Sequence, residues 1–257
     1  FSFGEGLGAT LAPSQTEPDV MNYAWRDYGN RVGAWRFMEL FDRLELKTTA
    51  LLNSAAIMKC PDLARACRDR GDEIAAHGQT NAEAQGHMTE DAERAMIART
   101  LDHFDQLGVR PAGWLGPWIS ESHQTPDLLQ EAGFRYVLDW AHDDQPTRMA
   151  TRSGTDILSI PYSQEINDIP AIIARKQEAA TFAQMIEDAV MQLLSECERR
   201  PLVLGIALHP YVMGQTHRAL HLDRVLTRLR EMDDPRIWWT TAGAIADHVA
   251  SNNLALG

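Results

Sequence analysis

The chain has no apolar run of ~18 residues, so nothing in it reads as a membrane-spanning helix. Cysteine is scarce: Cys60, Cys67 and Cys197 are odd in number and form no Cys-x-x-Cys pair. That spacing supports neither a disulfide framework nor a zinc knuckle, and reduced thiols in a cytoplasmic protein are the expectation. Basic residues are few, with Lys+Arg 24 against Asp+Glu 36 and a net charge of −12. Binding to a phosphate backbone needs clustered cations, so no nucleic-acid partner is expected, and polyanionic substrates are disfavoured. Low-complexity linkers and internal repeats are absent, and 257 residues suit a single domain spanning 1–257. No leader pattern is legible; the chain opens at Phe1 without a Met, which leaves an upstream leader open.

Alternating strand and helix patterns are what the chain does have. The first thirty residues read as a strand remnant at Phe1–Phe3 followed by a long loop, and helical spacing starts at Val32–Leu44. Strands are expected at Lys47–Asn53, Asp72–His77, Ala112–Gly116, Arg135–Trp140, Asp156–Pro161, Leu202–His209 and Arg236–Thr240. Between and after them, helices are expected at Leu63–Arg70, Thr89–Leu107, Thr125–Ala132, Thr181–Glu198 (capped by Thr181), His217–Met232 and Ala242–Ala250. Leu202–His209 is the most apolar of the strands and reads as a buried parallel one. The alternation predicts an α/β fold with a parallel sheet and right-handed crossovers, closed or nearly closed into a barrel.

Polar groups are distributed unevenly along these strands. Their starts carry Lys47, Asp72, Arg135 and Asp156, simple charges suited to solvent. Their ends carry Asn53, His77, Trp114 to Trp118, Asp139 to Asp144, Tyr162 and His209. In parallel barrels the catalytic groups lie at the C-terminal strand ends, so this asymmetry points to an enzyme.

Two histidines stand out. His77 closes Glu73-Ile-Ala-Ala-His77, and Gly78 after it permits a sharp turn close to a ligand. His209 closes Leu202-Val-Leu-Gly-Ile-Ala-Leu-His209, where an apolar run delivers a polar ring that needs a partner or a cleft. The alternative for each is a structural histidine. Trp114, Pro117, Trp118 and Trp140 either wall a small-molecule pocket or belong to the core. Asp143 and Asp144 either orient an imidazole or cap a turn. Tyr162 and Asn167 are expected on the rim of the pocket. The aromatic first loop (Tyr23, Trp25, Tyr28) has three readings: packing on a partner subunit in a homo-oligomer, folding over the site, or self-packing.

Several segments together resemble the polysaccharide deacetylase (NodB-homology) superfamily, nearest its branch of metal-independent allantoinases and cyclic imide hydrolases. They are Tyr28-Gly-Asn-Arg31-Val-Gly-Ala-Trp35-Arg36, Glu73 to Gly78, Gly113-Trp-Leu-Gly-Pro-Trp118, Asp143-Asp144-Gln-Pro146, Ile160-Pro-Tyr162 through Asn167-Asp168, and Leu208-His209. The resemblance implies a distorted (β/α) barrel of about seven parallel strands. It implies hydrolysis of a non-peptide C–N bond. In the sugar deacetylases of this superfamily an Asp and two His in a His-x-x-x-His pair hold a metal, a second Asp is the base, and a late Leu-x-His is the acid. His77 matches the first metal histidine, and Asn81 stands where the second would be. His209 matches the acid, and Leu115 stands near the position of the usual Arg. The acidic motif would fall at or before Phe1, and Glu5 is the one acid in the first sixteen residues.

Zinc wants three good ligands and an open position, which His77 and Asn81 do not make up by themselves. The expected cofactor is therefore none, or a weakly held divalent metal such as zinc at His77 and Asn81. Without a metal, an amide in a strained or activated ring is easier to open than an acetamide. The expectation is a hydrolase of a small cyclic amide, imide or ureide. Glu5 or an upstream acid would be its base, His77 and Asn81 would position water or the carbonyl, and His209 would be its acid. The alternatives are a metal-dependent N-acetyl sugar deacetylase and a catalytically inactive binding barrel. In all three the partner is a small molecule, with no membrane involved.

Overall fold

A computed structural model describes residues 10–14 and 16–252. They form two compact units, one within residues 10–46 and 162–239, the other within 47–161 and 240–252. The expected strand at Phe1–Phe3 lies outside the described residues. Among the described residues no helix is long and apolar enough to cross a membrane.

The second unit holds the sheet. Its strands are β1 (Thr49–Leu52), β2 (Glu73–Ala76), β3 (Gly113–Trp114), β4 (Tyr136–Val137), β5 (Thr147–Met149) and β6 (Ile157–Ser159), in the order β1-β2-β3-β4-β6-β5. All neighbours are parallel except β5, which runs antiparallel to β6. The α/β class and five of the expected strands are thus present, the observed ladders being shorter than the apolar runs. β5 was not expected, because Thr147–Met149 is short and none of it is buried. The crossover helices include Pro61–Arg70, Glu90–Leu107 and Thr125–Glu131. Thr89 caps Glu90–Leu107 by accepting from the Ala92 N–H, and Gly108 ends it at φ 71°, a conformation that favours glycine. Ala75, Ala76, Trp114, Tyr136, Val137, Met96 and Phe104 fill the interior, each large side chain contributing roughly 1.5–3 kcal/mol on burial.

The first unit is mostly helical: Val20–Tyr28, Ala34–Arg43, Ala179–Glu196 and Thr216–Glu231, with π-helical turns at Gly29–Gly33 and Ile169–Ala174. The long loop expected before Gly29 is therefore corrected, since a helix begins at Val20. Asp19 caps it by accepting from the Asn22 N–H at 3.2 Å. Its buried residues are Asn22, Trp25 and Arg26, so no apolar period betrays it. The helix expected to start with a Thr181 cap starts at Ala179, after Glu178.

Two expected strands are absent. Leu202–His209 joins no sheet; Ala207 alone makes a parallel bridge to Asn167. An apolar run reports burial and leaves the pairing partner open. Arg236–Thr240 is likewise irregular, with Trp238 exposed and Trp239 lying 5.8 Å from the Arg230 guanidinium.

Close backbone approach fixes the His209 loop within this unit. A Cβ on Gly29 would come 2.7 Å from the Tyr211 nitrogen, and one on Gly33 would collide with the Pro210 carbonyl. Both obstacles include backbone atoms, which have little room to yield. Gly33→Ala is predicted to destabilise the protein by about 2 kcal/mol or more, as overpacking does. Gly108→Ala, with no atom within 4 Å but φ 71°, should cost about 1 kcal/mol through strain alone. Urea unfolding midpoints compare the two, and equal losses would refute the packing argument.

Candidate functional site

His209 lies at the end of the half-buried Leu202–His209 segment, held by a carboxylate. Asp168 is fully buried; its Oδ1 is 2.6 Å from His209 Nδ1, and its Oδ2 accepts the backbone N–H of His209 at 2.8 Å and of Met213 at 3.3 Å. A carboxylate facing Nδ1 selects the tautomer that donates from Nδ1 and leaves Nε2 turned away from it. The backbone explains how Asp168 arrives there. The Ala207 N–H donates to Ile166 and the Asp168 N–H to Ala207, so the two segments run side by side with their polar ends together. Around the ring, Tyr211 is 5.6 Å from His209 between ring centres, Trp25 meets Tyr211 edge-on at 4.8 Å, and the Arg26 guanidinium lies 5.9 Å from the Tyr211 ring. Burial lowers the Arg26 pKa and raises that of Tyr211, so this packing disfavours charge on both side chains.

The second unit carries its own polar cluster at the C-terminal edge of its parallel strands. Asn53 follows β1 and His77 follows β2. The Asn53 amide donates to the His77 carbonyl and, at 2.9 Å, to Asn81 Oδ1. His77 Nδ1 donates to the Leu115 carbonyl at 2.7 Å, which leaves Nε2 as the acceptor nitrogen. After β3 the chain makes a strained turn. Trp118 and Ile119 have φ of 65° and 52°, unusual for non-glycine residues. The Trp118 indole donates to the Asn81 carbonyl at 2.7 Å, while the ring is 57% exposed. Gly78, at φ 61°, packs where a Cβ would strike the Pro117 ring.

The remaining expected site residues are sorted by the same geometry. Trp114 is corrected to the core: it is fully buried, donates to Gln85 Oε1 at 2.9 Å and meets Phe134 edge-on. Asn167 is corrected likewise, buried in the bridge with its Oδ1 accepting the Ile169 N–H at 3.1 Å. Pro117 is buried under the turn beside Gly78. Asp143 caps a turn by accepting from the Gln145 N–H, and both it and Asp144 are exposed; Asp168 is the carboxylate that orients an imidazole. Tyr162 is half-buried in the first unit, and Trp140 is 45% exposed in the second. Glu5 lies outside the described residues.

Asp139, one of the polar strand ends, has a carboxyl partner that the sequence did not suggest, Glu121. Asp139, two residues beyond β4, is buried and accepts the Gly116 N–H at 2.8 Å. Glu121 accepts the Trp140 indole N–H at 3.0 Å. Burial pushes Glu121 up to about 7, and burial together with Glu121 holds Asp139 well above the usual carboxylate range. No spacing rule joins positions 121 and 139; only adjacent strand ends do.

For a metal, the fit is poor. Among the described residues no group of three or more His, Cys, Asp and Glu is arranged to hold one. His77 supplies one imidazole, and Asn81 a neutral amide oxygen already engaged by Asn53. Zinc needs more.

Residues 17–137 match the family model described as Polysaccharide deacetylase. The peptidoglycan deacetylase of Helicobacter pylori is 23% identical over 257 residues, covering 88% of this chain and 86% of that protein. The crystal structure of Puue allantoinase superposes with a TM-score of 0.83 at 28% identity, over 91% of this chain and 77% of that one. A probable polysaccharide deacetylase from Pseudomonas aeruginosa PAO1 gives 0.83 at 27%, over 95% and 82%. The chain resembles the polysaccharide deacetylase superfamily. With that resemblance comes its coarse class, a deacetylase-like amidohydrolase acting on carbon–nitrogen bonds other than peptide bonds.

Asp168→Asn replaces one acceptor oxygen by an N–H donor while keeping the volume. The expected results are a His209 ring that shifts to the Nε2–H tautomer by ¹⁵N NMR and a kcat lower by about 10²-fold or more. An unchanged tautomer would remove Asp168 from its orienting role.

Proposed function

We propose that this chain hydrolyses an amide bond in a small cyclic amide, imide or ureide, with His209 as the proton donor to the departing nitrogen. The observation that carries the reading is the buried Asp168–His209 pair. A fully buried carboxylate anchored by two backbone N–H groups holds Nδ1–H and stabilises the imidazolium formed when Nε2 takes a proton from the attacking water, so Nε2 can pass that proton to the departing nitrogen as the C–N bond breaks. Ring opening needs this group: an amide nitrogen is a poor leaving group until it is protonated, and a positioned acid supplies typically 10²–10⁴-fold in rate.

The ring-substrate part of the proposal rests on the likeness to Puue allantoinase and on the weak ligand set at His77 and Asn81. Without a strong Lewis acid, several kcal/mol of transition-state stabilisation is missing. A strained imide or ureide asks for less than an unactivated acetamide. Within the second unit, His77 and Asn81 are groups suited to orienting a carbonyl or water, and Trp118 and Trp140, both exposed, are flat faces suited to a planar ring. A cytoplasmic setting goes with a small metabolite and with cysteines that form no disulfide. A second reading, an N-acetyl sugar deacetylase with a weakly bound divalent metal, is favoured by the peptidoglycan deacetylase relative.

Turnover of hydantoin, succinimide, allantoin and N-acetylated sugars, with and without a chelator, separates these. The expected outcome is chelator-resistant opening of a ring substrate, with His209→Ala lowering kcat about 10²-fold or more. Turnover of acetylated sugars alone, abolished by chelation, would establish the second reading instead. Binding without any turnover would overturn both.

A further inference from the structure

The Glu121–Asp139 pair is unexplained by the mechanism above, and its surroundings suggest a task. Two atoms in it are buried without a partner, Asp139 Oδ2 and Glu121 Oε1. Each carboxyl has its other oxygen engaged, by Gly116 N–H and by the Trp140 indole. Two ionised carboxylates cannot satisfy one another, because each offers only acceptors. One proton between them resolves both orphan atoms at once.

The charged group facing the pair from the helix Glu90–Leu107 is Glu93, also an acid. Its carboxylate is occupied by Gln85 at 2.6 Å, Ser122 at 2.5 Å and Thr125. The field on the pair from that side is therefore negative, which favours keeping the proton. From the strand side come only neutral donors, the Gly116 N–H and the Trp140 indole N–H.

The pair spans a defined object. Asp139 grips Gly116, where the strained turn begins, and Glu121 follows directly after it. Between them, Trp118 and Ile119 sit at positive φ, and the Trp118 indole reaches Asn81. A turn with two strained residues persists only where its ends are held.

We propose that Glu121 and Asp139 share one proton and thereby clamp the Gly116–Glu121 turn, acting as a positioning pair that seats Trp118 against Asn81. Loss of that proton places two carboxylates, that of buried Asp139 and that of half-buried Glu121, face to face and releases the turn. The clamp is a property of the second unit by itself; only its catalytic consequence rests on the proposed hydrolysis.

The sign of the pH effect follows. Glu121 holds its proton to about 7 in the folded chain and releases it near the ordinary 4.5 when unfolded. The folded state thus binds more protons between those values, and stability falls as pH rises through that window, levelling off above about 7.

The test uses the full chain labelled with ¹⁵N at its indoles, titrated between about pH 5 and pH 9. The Trp118 and Trp140 resonances are assigned by Trp118→Phe and Trp140→Phe. Both are expected to move together through one transition near neutrality, and Glu121→Gln and Asp139→Asn are each expected to abolish it. A Trp118 resonance that stays still in the wild-type chain would overturn the proposal, whatever the variants do. So would a transition that survives Glu121→Gln. If a substrate is turned over, KM should rise between pH 6 and pH 8 in the wild type and lose that rise in Glu121→Gln; a rise retained there would also count against the clamp. The indole titration needs no activity, so failure of the hydrolase reading leaves it decisive.

Discussion

Asp168 is the constraint on which the His209 loop of the first unit depends. A bare carboxylate in a protein interior is costly to desolvate, and it persists only when its oxygens are taken up. Here two backbone N–H groups and an imidazole take them up, and all three come from one short stretch, His209 to Met213. Satisfying the charge therefore also shapes the loop. The loop is pressed against the π-helical turn Gly29–Gly33, where glycines let backbone meet backbone. Irregular helical turns of this kind recur at functional sites, because they move a few residues out of helical register without ending the helix.

The second unit follows a different logic. Its parallel strands bring the residues after β1, β2, β3 and β4 to a single edge, and that edge collects Asn53, His77, the Trp118 turn and Asp139. Nothing in the covalent chain brings 53, 77, 118 and 139 together; parallel pairing does. Polar groups near that edge are buried as well: Gln85, Glu93, Thr125 and Asp139. Such networks rigidify a region when their members are satisfied. In the same unit Asp139 Oδ2, Glu121 Oε1, Ser120 Oγ and Glu83 Oε2 are buried without a hydrogen-bond partner.

Much of the fold was legible because strands and crossover helices announce themselves by period. Thr89 and Gly108 bracket a helix by capping chemistry that is local, and the expected span matched. The misses have local reasons too. Val20–Tyr28 buries Asn22 and Arg26 in place of aliphatic residues, so its amphipathic period is invisible. Leu202–His209 is apolar enough for a strand, but it bonds to Ile166–Asp168 through a single bridge. Among site residues, His77 and His209 stood out as polar groups ending apolar runs. Between Asn167 and its neighbour Asp168 the sequence does not decide, since a side chain's direction at a strand-like end flips with each residue.

By itself, then, the amino-acid order determined the alternation of strands and helices, the polar bias toward strand ends, and the two histidines that end apolar runs, since all of these follow from period, composition and local backbone preference. Which acid serves His209, which tryptophan is core and which is exposed, and that Glu121 faces Asp139 were decided only by tertiary structure. Those facts depend on contacts between residues distant in the chain, and burial assigns them their charge.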